Sequence, residues 1–228
     1  MSQPAFSVEG VLDALAMQPR RGAGDGRAIM FIAARRKEGV TTAARAVARA
    51  AGPGAIYAID LDLKRNAFAR ELANIEPLGP KIDGRLNAAS FYSVRGPNGM
   101  LLPERAPAFS YHRVGRTRIY AGVFDPRLLP EGGRVVISSA PQYWDAARAG
   151  GAIAVVDAPA LERSEIGLRL ARNMDGVVLV VGSDRGAAPA AIAAKQALVD
   201  AGANLMGIVY AGASAPVIAI ERLLRQAG

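Results

Sequence analysis

Residues 29–64 restrict the folds open to this chain more than any other stretch. A short apolar run, Ile29 to Ala33, leads into the loop Ala34-Arg35-Arg36-Lys37-Glu38-Gly39. An alanine-rich segment from Thr41 to Ala51 follows, then a second apolar run, Ala55 to Ile59, that ends at Asp60-Leu61-Asp62. Short, fully apolar runs alternating with helical segments indicate parallel strands buried on both faces of a sheet. In such a sheet ligands bind beyond the carboxyl ends of the strands, where this loop and these two aspartates fall.

The loop has the outline of the phosphate-binding pattern G-x-x-x-x-G-K-[ST]. In that pattern backbone N–H groups cradle the phosphates, the lysine neutralises them and the hydroxyl holds Mg²⁺. With Gly39 as the second glycine, Ala34 takes the first glycine position, Val40 the lysine position and Thr41 the hydroxyl position. The helix from Thr41 offers an anion-favouring N-terminus. Gly39, Val40, Thr41 and Thr42 are therefore the candidate nucleotide-binding residues. A third strand-end acid, Asp157, closes the apolar run Ala152 to Val156. Thr41, Asp60, Asp62 and Asp157 together offer the hard oxygen donors that Mg²⁺ takes while retaining waters.

Val40 lowers the expected activity. A charge-assisted hydrogen bond is worth about 1.5–3 kcal/mol, so its loss predicts roughly 10- to 100-fold weaker nucleotide binding. Transition-state stabilisation falls further, by about 100- to 1000-fold per donor removed. The expectation is weak ATP or ADP and Mg²⁺ binding, with slow hydrolysis at most and no active kinase. Arg35, Arg36 and Lys37 are nearby substitutes, although solvated side chains are their simpler reading.

The remaining pattern predicts a doubly wound, mostly parallel α/β sheet. Residues 1–27 read as an N-terminal helix (7–18) and linker, and 28–228 as one α/β domain with an irregular insertion at about 79–140. Strands are expected at 28–33, 55–59, 118–123, 152–156, 176–181 and 205–210. Helices are expected at 41–51, 67–74, 162–173, 188–201 and 216–226. Prolines at 77, 80, 97, 103, 107, 126 and 130 break the regularity of the middle, with a mobile stretch expected near 79–110. His112 reads as an exposed loop histidine, and Tyr143 and Trp144 as packing residues.

Composition narrows the chemistry. There is no cysteine, which excludes disulfides and thiolate sites, and the single histidine cannot build a His-based metal site. The absence of an uncharged apolar run of about 18 residues predicts a soluble, cytoplasmic protein. A net charge of +8 predicts attraction to an acidic partner, with DNA or anionic membrane among the choices.

With these residues laid out, the chain resembles the cytoplasmic P-loop ATPase domain of bacterial tyrosine autokinases of the capsular exopolysaccharide family, relatives of ParA and MinD. Glu38-Gly39-Val40-Thr41-Thr42 is similar to their Walker A motif. Ala58 to Arg65 is similar to their Walker A′, and Val155-Val156-Asp157-Ala158-Pro159 to their Walker B. Asp175 to Val181 and Met206 to Tyr210 match their later strands.

The chain departs from the family pattern at Val40, and it ends at Gly228 without the tyrosine-rich tail on which such kinases autophosphorylate. The family's ring-forming Glu-x-x-Arg-x-x-Arg, aligned on Glu9, meets Leu12 and Leu15. The resemblance implies a P-loop-like fold of ParA/MinD type and a degenerate regulatory relative in capsule or holdfast-type exopolysaccharide biosynthesis and export. It implies a partner in the cytoplasmic tail of a membrane polysaccharide co-polymerase, which would hold the protein at the inner membrane, and a homo-oligomer as a further expectation. The alternative is a slow ParA- or MinD-type ATPase acting on DNA or membrane, for which Arg35 falls at that group's signature lysine.

Overall fold

Seven consecutive buried residues, Arg27–Ala33 (β1), run through the middle of an eight-stranded sheet. The computed structural model describes residues 6–22, 24–103, 106–182 and 187–211. Before β1 lies the helix Val8–Ala16 (α1), and after it Val40–Ala50 (α2), Ile56–Asp60 (β2) and Ala67–Ala73 (α3). The middle of the chain forms Leu78–Asp83 (β3), Tyr92–Arg95 (β4), Phe109–Val114 (β5), Ile119–Phe124 (β6) and Arg134–Ile137 (β7). Gln142–Ala149 (α4), Ile153–Asp157 (β8), Ile166–Ala171 (α5), Gly176–Gly182 (β9), Ala187–Asp200 (α6) and Leu205–Ala211 (β10) follow. The helix expected at 216–226 lies outside the described residues.

The strand order is β10-β9-β1-β8-β2-β6-β5-β3. All pairs from β10 to β6 are parallel, while β5 runs antiparallel to both β6 and β3. Helices α1, α2 and α3 cover one face through Leu15, Val47 and Phe68. Helices α4, α5 and α6 cover the other through Trp144, Leu170 and Leu198. This is the doubly wound arrangement that the all-apolar strands predicted. In α1, Leu15 is buried and Leu12 packs beside it against the same core. Both positions face inward because α1 lies on α2 and β10. No described helix is long and apolar enough to cross a membrane.

Residues 79–140 hold more regular structure than expected: β6 lies at the strand expected at 118–123, and β3, β4, β5 and β7 accompany it. The prolines concealed these strands without preventing them. Pro80 sits where the register of β3 shifts between Leu78 and Lys81, on the edge strand of the sheet, where a missing N–H is tolerated. Pro97, Pro103, Pro107, Pro126 and Pro130 fall between the strands or at their ends. Strands β4 and β7 pair as a separate antiparallel ribbon.

Aromatic rings fix the inserted segment to the sheet. Phe91 makes edge contacts with Phe109 and Tyr143, and Tyr57 lies 4.7 Å from Tyr111. The Tyr111 and Tyr143 hydroxyls hydrogen-bond to each other in the core. Tyr143 and Trp144 are fully buried in α4, in keeping with their reading as packing residues.

At the opposite end of the sheet from the strand-end acids, one buried ion pair joins α4 to the starts of β1 and β9. Arg148 of α4 donates from Nε to Asp175 Oδ2 at 2.9 Å and from Nη2 to the carbonyl of Asn173. Asp175 Oδ2 also accepts from the Ala28 amide of β1 at 2.6 Å, and the Arg148 carbonyl accepts from Gly26 N. Removing one partner of a buried pair strands the other charge, at a cost of about 3–5 kcal/mol. Arg148→Ala should therefore lower the melting temperature by roughly 6–20 °C, at 2–4 °C per kcal/mol for a chain of this size. Thermal unfolding followed by circular dichroism checks this, and a shift under about 2 °C would contradict the role given to the pair.

Candidate nucleotide site at the strand ends

The site begins with strand register. β8 lies between β1 and β2, and its last residue, Asp157, stands opposite Phe31 on one side and Asp60 on the other. Two carboxylates thus close adjacent parallel strands side by side, both at 5% exposure or less. Beyond β1 the chain turns through residues 34–39 into α2. Lys37 and Gly39 adopt positive φ, 64° and 90°, so the loop can reverse into the helix. A Cβ on Gly39 would lie 2.7 Å from Ala211 Cβ of β10, so glycine is required there for space as well as conformation.

Asp60 is turned toward its own chain. Its Oδ1 accepts from Asp62 N at 2.7 Å, and its Oδ2 accepts from Ala67 N at 2.7 Å and from Phe68 N at 3.3 Å, tying off the start of α3. Asn66, at φ 48°, bonds both the amide and the carbonyl of Phe124 and so links this turn to the end of β6. Asp62 reaches the cavity rim, where its Oδ2 lies 2.7 Å from Arg163 Nη1 and 3.4 Å from Arg65 Nε. Thr41 lines the same cavity beside Asp157 and favours the charged form of its carboxyl.

The loop carries internal anions. Glu38 is buried, and its Oε2 accepts from Arg35 N at 3.1 Å while Oε1 lies 3.5 Å from Arg35 Nε. Arg36 N donates to Glu162 Oε1 at 2.7 Å. Two backbone donors of the loop thus have carboxylate partners within the protein.

Gly39, Val40, Thr41, Thr42, Asp60, Asp62 and Asp157 all line one cavity of about 400 Å³. Arg65, Arg163 and Ala158 line it too. Arg163 had no signal in the sequence reading: it follows Asp157 by six residues in a turn without periodicity. Arg65 was visible only as the end of the Walker A′ resemblance. The expectation for His112 is corrected: it lies within β5, partly buried, with Nδ1 2.8 Å from the Gly79 carbonyl and Nε2 3.2 Å from Ser110 Oγ.

The donors suit a Mg-nucleotide. Gly39, the N-cap of α2, makes no side-chain cap bond, which leaves the first turn of an eleven-residue helix open to an anion. Among the described residues no cluster of three or more His, Cys, Asp or Glu is arranged to cage a metal. A hydroxyl, one or two carboxylates, waters and phosphate oxygens make up the shell that Mg²⁺ adopts with nucleotides. Thr41, Asp157 and Asp62 would hold such an ion, with Asp60 beside them already accepting backbone bonds.

Burial, reinforced by the charge of Asp60, pushes the Asp157 carboxyl up to about 8. Burial likewise raises Asp60 to about 6, against the hydrogen bonds it accepts from Asp62, Phe68 and Ala67. A carboxyl raised in the folded state binds its proton more tightly there than when unfolded. It therefore stabilises the metal-free fold fully below about pH 4, and that contribution disappears as pH rises through the folded value. In EDTA, the melting temperature of wild type should fall more steeply from pH 5 to pH 8 than that of Asp157→Asn, which cannot ionise. Parallel pH profiles for the two proteins would refute this assignment.

No family model matches the chain, and no curated protein sequence matches it. Among solved structures, the chimerical protein CapA2B2 is similar over 89% of this chain and 82% of its own, at 15% identity and a TM-score of 0.54. The kinase domain of the Escherichia coli tyrosine kinase ETK matches over 82% of this chain and 67% of its own, at 16% identity and a TM-score of 0.48. At these identities the likeness is one of fold. The mostly parallel sheet, its helices on both faces and the loop after β1 form a doubly wound α/β fold that this chain shares with CapA2B2.

Proposed function

We propose that this chain is a regulatory P-loop protein of exopolysaccharide assembly and export, of capsule or holdfast type, that binds Mg-nucleotide weakly and has no tyrosine-kinase activity. Val40 carries the reading. It opens α2 at the lysine position, and its partly buried side chain packs against the core formed by α1, α2 and α3. An apolar group there offers a phosphate no charge, while the uncapped helix N-terminus and the donors Thr41, Asp62 and Asp157 remain. A helix terminus favours an anion only modestly, by about 0.3–1 kcal/mol when exposed. That is enough for weak binding and too little for rapid phosphoryl transfer.

The polysaccharide setting rests on the motif resemblance of residues 38–42, 58–65 and 155–159. In that setting the partner is the cytoplasmic tail of a membrane polysaccharide co-polymerase, which recruits the protein to the inner membrane. The ParA- or MinD-type alternative is less well supported, because Arg35, at that group's lysine position, is engaged by Glu38 within its own loop.

Titration calorimetry of Mg-ADP into wild type and Val40→Lys tests the nucleotide half. Wild type should bind weakly, and the lysine should tighten binding by about 10- to 100-fold. Radiolabelled ATP should leave no phosphotyrosine on wild type. Rapid ATP turnover by wild type would overturn the regulatory reading, and failure of both proteins to bind would remove the nucleotide. Deleting the gene should reduce surface polysaccharide, and Val40→Lys should not be needed to restore it.

A further inference from the structure

We propose that Arg163 does the work of the absent lysine, moving from Asp62 to the phosphates when a Mg-nucleotide enters. This rests on the nucleotide reading of the cavity. Five cationic side chains line that cavity: Arg35, Arg36, Lys37, Arg65 and Arg163. Their surroundings separate them. Arg35 is engaged by Glu38 of its own loop, and Arg36 and Lys37 are exposed residues of the loop's outer turn. The Arg65 side chain is 51% exposed and lies 3.4 Å from Asp62, whereas that of Arg163 is 34% exposed and lies 2.7 Å from the same carboxylate.

The backbone beneath Arg163 is fixed to the phosphate loop. Leu161 N donates to Ala33 O at 2.9 Å, Glu162 N donates to Ala34 O at 3.1 Å, and Arg36 N returns a bond to Glu162 Oε1 at 2.7 Å. The turn that carries Arg163 therefore keeps its place beside the loop whichever way the guanidinium points. That group is planar, always charged and forked to match phosphate oxygens. Its present partner, Asp62, is shared with Arg65 and belongs to the oxygen set that suits Mg²⁺. When Mg²⁺ takes Asp62, the carboxylate exchanges one cation for another, and the nearest new anion for Arg163 is the phosphate that arrives with the metal. Ion pairs are exchanged and no covalent bond changes. Partly exposed pairs such as Arg163–Asp62 are weak enough to exchange readily.

Titration calorimetry with Mg-ADP and with a Mg-bound non-hydrolysable ATP analogue tests the assignment on the full chain. Arg163→Ala should weaken binding by about 10- to 100-fold. Arg163→Lys should recover part of that loss, and Val40→Lys added to Arg163→Ala should restore affinity by returning a cation from the other side. Circular dichroism of each variant confirms that it folds, and Arg163→Lys carries the test if the alanine variant does not. Equal affinity of wild type and Arg163→Ala would overturn the role while leaving the nucleotide reading intact, as would a larger loss in Arg65→Ala. Binding that appears only once Val40→Lys is in place would also overturn it. Absence of binding in wild type and Val40→Lys alike would remove both readings together.

Discussion

Two aspartates held abreast at the ends of neighbouring parallel strands govern the rest of this structure. The register of β2 against β8 leaves Asp60 no position except beside Asp157, and the helices on both faces keep water from screening the pair. Like charges under desolvation are unfavourable unless something positive is supplied. Much of the surrounding architecture supplies it in small amounts. Three backbone amides point at Asp60, and Thr41 favours the charged form of Asp157. The remaining deficit is what makes the place suited to a divalent cation, since a doubly charged ion answers both carboxylates at once.

The loop after β1 shows the same economy in reverse. A phosphate-binding loop presents amide donors and a positive side chain. Here the lysine position holds a valine, while Glu38 and Glu162 accept from the amides of Arg35 and Arg36. The loop keeps its shape through internal carboxylates, so its fold does not depend on a phosphate being present. The shape of the loop is thereby separated from its affinity for a phosphate, since the carboxylates that hold it belong to the chain itself.

The parallel half of the fold was legible in the sequence because burial on both faces forces unbroken apolar runs, as at Ile29–Ala33 and Val177–Val181. All six parallel strands and the described helices of that half fall close to their expected places. The antiparallel half was not legible. Strand β3 is an exposed edge with a bulge at Pro80, and β4 and β7 are four residues each, too short for alternation to stand out from proline-rich connections. At the cavity, strand-end aspartates and the loop announced themselves by spacing. Arg163 did not, since its place depends on hydrogen bonds between the turn after β8 and the chain after β1, a contact between residues more than a hundred positions apart. Asp60 was recognisable as an acid near the loop, whereas its bonding to the start of α3 required the fold.

The ion pair of Arg148 and Asp175 gives the sheet two ends of different character. At the amino ends of β1 and β9, a buried cation, a buried carboxylate and main-chain atoms of Gly26, Ala28, Arg148 and Asn173 are joined in one bonded unit. At the carboxyl ends the polar groups meet a cavity, where Asp60 is held by backbone amides while the Asp62 carboxylate is met by the side chains of Arg65 and Arg163. The molecule is thus built like a hand with a stiff wrist: strands anchored at one end carry, at the other, arginine side chains that can change partners without loosening the sheet beneath them.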